Sequence, residues 1–123
     1  MDGKPFNERW EYGSVIGKLN FLEKLTWPDL GYATHQCARY SIDPKESHTV
    51  AVKRTGRYLK GMSNDGLILD LKDFSFEVFA DADQSGNWKF GESTNNEATA
   101  KSRTGYVIKY AGCPVVWHSK LET

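Results

Sequence analysis

Asp81 and Asp83 close a run of strand-forming residues, Phe76-Glu77-Val78-Phe79-Ala80, and one alanine separates them. Side chains two apart on a strand point to the same face. A strand that persists to Asp83 therefore sets the two carboxylates side by side. Adjacent like charges are unfavourable unless a cation or hydrogen-bond donors offset them, and a divalent metal is a natural offset. The competing reading is a strand that ends in solvated turn residues, where aspartate is common; the pattern alone favours it. Two aspartates are too few for a two-metal nuclease, which holds its cations about 3.5–4 Å apart with several carboxylates.

A second group is cationic. Lys53, Arg57 and Lys60 recur at helical spacing, with Arg54 at the edge of the same face. Such a row can lie along a phosphate backbone. It can equally be a solvated helix face whose cations offset the helix dipole near its C-terminal end. His35, His48 and His118 lack metal-ligand spacing and read as surface or packing residues. Tyr106, Tyr110 and Trp117 read as sheet core rather than as a base-stacking platform. Gly105 reads as a bulge or a close packing approach within a strand. No phosphate-cradling glycine loop and no nucleophile elbow is present.

These residues need elements to hold them. Tyr12, Val15, Ile16, Leu19, Leu22 and Leu25 recur every three or four residues and predict a first helix, despite Gly13 and Gly17. Pro28 suits the first turn of a second helix, with Leu30, Ala33, Cys37 and Tyr40 as its stripe. Asp43-Pro44-Lys45-Glu46 predicts the start of a third helix, which runs to Lys60 and stops at Gly61. Its apolar side carries Ala51, Val52, Thr55 and Leu59, with His48 as a further candidate. Residues 1–10 read as an irregular lead-in. Leu67-Ile68-Leu69 reads as a short strand, 74–81 as a second, 84–102 as a long polar loop, and Thr104–Tyr110 as a third strand. A tight turn at Ala111-Gly112 leads into an antiparallel strand from Pro114 to Trp117 or Ser119. Helices first and strands after predict an α+β fold.

The chain of 123 residues is one domain's length, with 39 % hydrophobic and 26 % charged residues, as expected for a folded protein. Formal net charge is zero, so global charge advertises no nucleic-acid partner. The charge is uneven, however: Pro44–Lys60 is basic and Asp70–Glu97 is acidic. Two cysteines, Cys37 and Cys113, make neither a disulfide framework nor a zinc site and fit a reducing compartment. The N-terminus has no apolar signal stretch, and no run reaches transmembrane length. The expectation is an intracellular protein, cytoplasmic or nuclear, neither secreted nor in a membrane.

Several of these motifs occur together in one family. Tyr12-Gly13-Ser14-Val15-Ile16-Gly17-Lys18-Leu19-Asn20-Phe21-Leu22 and Pro28-Asp29-Leu30-Gly31-Tyr32-Ala33 resemble the helices after the fingers and palm in copia-type retrotransposon Pol polyproteins. Lys53–Gly61, with Arg57-Tyr58-Leu59-Lys60-Gly61, resembles the helix that follows there. Phe79-Ala80-Asp81-Ala82-Asp83 and Ser85-Gly86-Asn87-Trp88 are similar to the start of that family's ribonuclease H domain. Lys101-Ser102-Arg103-Thr104-Gly105-Tyr106-Val107 and Ala111-Gly112-Cys113-Pro114-Val115-Val116-Trp117 resemble its second and third strands. The resemblance spans residues 10–121. It implies a reverse transcriptase thumb or connection segment over residues 1–69, which grips the hybrid. It implies a partial ribonuclease H-like antiparallel sheet of three strands over 70–123. It also implies Mg²⁺ or Mn²⁺ as cofactor, an RNA–DNA hybrid or RNA as partner, and RNA-strand hydrolysis as the ancestral reaction. Asp81 matches the family's first metal-binding, catalytic aspartate, and Asp83 a second acid often found beside it.

The departures shape the expectation of activity. The family's catalytic glutamate lies on a helix after the third strand, and a further aspartate comes later; this sequence stops at Leu121-Glu122-Thr123, before both. The polymerase's paired aspartates are absent. Gln84 stands where an aromatic is usual, and Gly13 and Trp27 stand where arginines are usual. The expected protein is a fragment of a decayed element, or a short gene model cut from one, inactive alone, whose open sheet edge favours self-association. The alternatives are a nuclease completed by a missing downstream segment, and a non-enzymatic nucleic-acid-binding module using Lys53, Arg54, Arg57 and Lys60.

Overall fold

The computed structural model describes residues 3–85, 88, 90 and 100–122. The chain forms an α+β arrangement in two compact units, Met1–Leu67 and Ile68–Thr123. No helix among the described residues is long and apolar enough to cross a membrane.

The first unit is helical. Helix α1 spans Tyr12–Leu25 and buries Tyr12, Ile16, Leu19 and Glu23, the stripe that its three- and four-residue spacing dictates. Gly13 and Gly17 lie on its exposed side, where an added Cβ would meet nothing, so they leave the packing untouched. Pro28 opens a single 3₁₀ turn, Pro28–Leu30, which leads into α2, Gly31–Ala38. A Cβ on Gly31 would stand 3.2 Å from the Glu23 carboxylate, so glycine here lets α2 begin against α1. Helix α3 spans Glu46–Gly61 and buries Thr49, Val52 and Thr55, while Leu59 is half-buried. Ala51, expected on this apolar side, is exposed.

The core of this unit comprises Tyr12, Ile16, Leu19, Cys37 and Val52, flanked by Phe6, Trp10, Val15, Ala38 and Leu59. Its aromatics meet in sequence: Phe6 sets its edge against Trp10 at 5.1 Å, and Trp10 stacks on Tyr12 at 6.0 Å. The Tyr12 hydroxyl donates to the Cys37 carbonyl at 2.9 Å, which satisfies a buried polar group as burial requires. Burial and the neighbouring Cys37 push the Tyr12 phenol well above its ordinary pKa.

The start of α3 corrects the sequence expectation. Asp43 does not cap the helix; its carboxylate pairs with Lys45 Nζ at 2.7 Å. The N-cap is Lys45, held extended at φ −114° and ψ 167°. The cause lies in the lead-in. Pro5 bridges Lys45, the Phe6 N–H donates to the Pro44 carbonyl at 3.3 Å, and the Glu46 N–H donates to the Lys4 carbonyl at 3.0 Å. This pairing keeps Pro44 and Lys45 strand-like, and the helix begins after them. The Lys45 N–H then donates to His48 Nδ1 at 3.0 Å, so histidine does the capping.

The second unit is a three-stranded antiparallel sheet in the order β1-β2-β3, with β1 at Phe76–Asp83, β2 at Arg103–Tyr110 and β3 at Cys113–Leu121. Leu67-Ile68-Leu69, expected as a strand, is irregular: Ile68 and Leu69 stay exposed, and no ladder takes up their backbone. The expected loop over 84–102 lies largely outside the described residues. Ala111 and Gly112 form the two-residue connection between β2 and β3 with φ of 53° and 81°, the left-handed pair that a type I′ hairpin requires. The Ala111 N–H donates to Ser75 O at 2.8 Å, and its carbonyl accepts from the Lys72 N–H at 3.2 Å. This turn is thereby tied to the segment before β1, and both Ala111 and Cys113 are buried.

Two further expectations are corrected in the sheet. The register shift falls between Ile108 and Lys109, not at Gly105, which pairs regularly with Asp81 and Ser119. Tyr106, Tyr110 and Trp117 do not make an enclosed core. Tyr106 and Trp117 are only half-buried, Tyr110 is exposed, and every residue of β1 is exposed. A single sheet has two faces, and apolar side chains become core only where another layer lies on them. Tyr106 instead stacks its ring on His118 at 5.3 Å.

Candidate functional site

The acidic corner forms at the end of β1. The strand continues through Asp83, so Asp81 and Asp83 share one face of the sheet and are both exposed. The register supplies their neighbours. Asp81 lies opposite Gly105 and, beyond it, Ser119; Asp83 lies opposite Arg103 and, beyond it, Leu121. Gly105 adds no side chain to this face, and an added Cβ would have ordinary contacts at 3.6 Å or more, so the surface beside Asp81 is low. Arg103 is buried, and its Nη1 donates to Ser119 Oγ at 2.9 Å, diagonally across the sheet. A guanidinium on the same face as two carboxylates lowers the cost of placing them together. Further along this face Lys109 Nζ stands 5.4 Å from the Phe79 ring centroid.

This donor set does not fit a two-metal centre. Among the described residues no three histidine, cysteine, aspartate or glutamate side chains gather where they could hold a metal ion. Asp81 and Asp83 offer two carboxylates, and their cross-strand neighbours are a glycine and a cation. A hard divalent cation bound here would draw most of its ligands from water or from other groups.

The cationic row lies on α3, in the helical unit. Lys53, Arg54, Arg57 and Lys60 are all exposed. On the other side Val52 enters the core and Thr55 is buried, which fixes the cations outward. The four are not equivalent. Lys53 Nζ meets Glu8 Oε1 of the lead-in at 2.6 Å. Arg54 borders a shallow cleft with Asp29, Leu30, Ala33, Thr55 and Tyr58, and the Tyr58 hydroxyl donates to the Asp29 carboxylate. That bond and the carboxylate's charge push the Tyr58 phenol above its ordinary pKa. Among the described residues Arg54, Arg57 and Lys60 form no ion pair.

Arg103, Ser119 and Glu8 were not visible as site residues in the sequence. Glu8 is 45 positions from Lys53, and Arg103 reaches the acidic corner only through antiparallel register. The one signal available was the two-residue step from Arg103 to Gly105, which places both on one face once the strand is granted.

The chain has relatives among transposon proteins. It is 32 % identical over 121 residues to the Retrovirus-related Pol polyprotein from transposon RE1 of Arabidopsis thaliana, covering 98 % of this chain and 8 % of that protein. It is 32 % identical over 111 residues to the corresponding polyprotein from transposon TNT 1-94 of Nicotiana tabacum, covering 90 % of this chain and 8 % of that protein. It is also 32 % identical over 112 residues to Secreted RxLR effector protein 161 of Plasmopara viticola, covering 90 % of this chain and 72 % of that protein. No family model matches, and no solved structure does. The chain belongs to the sequence family of that effector protein, and over nearly its whole length it is homologous to a segment of the retrovirus-related Pol polyproteins of transposons. It spans about 8 % of the length of the polyproteins themselves.

Proposed function

We propose that the chain is the part of a transposon Pol polyprotein that joins the end of a reverse transcriptase to the start of a ribonuclease H domain. In this reading it grips an RNA–DNA hybrid by its backbone and does not hydrolyse it alone. The observation that carries the reading is the match to Pol polyproteins over 98 % of the chain. The antiparallel sheet whose first strand ends in Asp81 and Asp83 is in keeping with it. Arg54, Arg57 and Lys60 provide the grip, since cations facing outward from a rigid helix can neutralise successive phosphates. Mg²⁺ or Mn²⁺, when bound in such nucleases, polarises a phosphodiester and activates water. Asp81 and Asp83 would supply two of the ligands, and no step of hydrolysis is assigned to that pair alone.

Cleavage and binding test this separately. The purified chain, incubated with a labelled hybrid in Mg²⁺ or Mn²⁺, is expected to leave the RNA strand intact. It is expected to retain the hybrid at low salt and release it as salt rises. Robust cleavage that disappears in Asp81→Asn would overturn the inactive reading. Absence of binding at low salt would overturn the proposed grip.

A further inference from the structure

We infer that the N-terminal lead-in acts as a strap that masks part of the nucleic-acid face of α3, with Glu8 occupying Lys53. The inference rests on the proposed grip and concerns its regulation. The strap is held in place by the Pro5–Lys45 bridge and by the backbone bonds Phe6 to Pro44 and Glu46 to Lys4. The Phe6 ring anchors it among Trp10 and Tyr12, with centroids 5.1 and 5.9 Å away. Two residues beyond this anchor, Glu8 reaches Lys53 at 2.6 Å. A groove of about 390 Å³ between strap and helix is lined by Lys4, Pro5, Asn7, Glu8, Glu46 and Thr49, so a second carboxylate and one ammonium also stand on this side.

At this end of the row Lys53 is already paired with the Glu8 carboxylate, which a phosphate must displace to reach it. At the other end Arg57 and Lys60 have no ion pair among the described residues and stand open. The row therefore binds through its C-terminal half, with Lys53 in reserve. The ion pair is partly exposed, with the Lys53 side chain 48 % accessible. Exposed pairs are weak and exchange readily, so the mask is reversible: a phosphate can displace Glu8 at a modest loss of affinity.

The test uses the full chain and a short RNA–DNA hybrid, with affinity measured across a salt series. Glu8→Gln keeps the size of the side chain and removes its charge. It is expected to tighten binding about two- to fivefold at low salt and to steepen the slope of log K against log salt by about 0.9, one additional phosphate contact. Lys53→Met should change little in the parent and cancel the gain in the Glu8→Gln background, as a coupled pair requires. Arg57→Ala with Lys60→Ala should weaken both proteins. If the parent binds through Arg57 and Lys60 while Glu8→Gln matches it in affinity and slope, the mask is overturned and the grip stands. If neither protein binds at low salt, the grip is overturned and the mask with it. Thermal melting of each variant separates these outcomes from misfolding.

Discussion

His48 caps α3 through the lone pair of Nδ1, and protonation there removes the acceptor that the Lys45 N–H requires. Its ring also stacks on Tyr40, with centroids 3.8 Å apart, and Arg39 lies over the Tyr40 ring at 5.6 Å. Burial holds the His48 pKa below its ordinary value; the Asp43 carboxylate opposes that shift and the Lys45 cation adds to it. A depressed histidine favours folding in its neutral form. Its contribution is fully present above the unfolded-state value of about 6.5 and is lost as pH falls through the folded-state value, because the unfolded chain then binds more protons. The urea midpoint of the helical unit is expected to fall as pH drops below about 6.5. His48→Gln, whose amide oxygen does not titrate, should flatten that part of the profile. A parent and variant with parallel profiles would remove His48 as the cause.

The β2–β3 hairpin depends on one residue that no other type replaces without strain. Gly112 has a φ of 81°, and open space surrounds the position where a Cβ would be, so Gly112→Ala adds conformational strain and no clash. The expected cost is about 1–2 kcal/mol, read as a lower urea midpoint for the sheet unit, with Gly112→Asn milder because asparagine tolerates this region. The hairpin was legible in the sequence, because the Ala-Gly step lies between two runs of β-branched and aromatic residues. Helix α1 was legible for a similar local reason, its apolar spacing. What failed to show were effects imposed from a distance. The cap of α3 moved from Asp43 to His48 because a bridge from Pro5 holds Lys45 extended. Leu67–Leu69 has strand composition and no strand beside it. The same division runs through the candidate site: Asp81 and Asp83 are neighbours by local alternation, whereas Arg103 opposite Asp83 and Glu8 against Lys53 are set by register and by the strap.

At the scale of the whole chain there are two units, one carrying the cationic helix and the other the acidic corner. Each also buries one free cysteine, Cys37 among the helices and Cys113 beside the hairpin turn. Burial raises the Cys37 pKa and keeps it a poor nucleophile in the folded state. An alkylating reagent can thus reach either thiol only when its own surroundings open. The chain carries two internal clocks, one per unit, readable by mass spectrometry of the labelled peptides without any added probe. Gly112→Ala is expected to quicken the labelling of Cys113 and leave that of Cys37 unchanged. Equal acceleration at both thiols would mean instead that the two units open as one, so that strain in a hairpin turn is felt at the strap that guards Lys53.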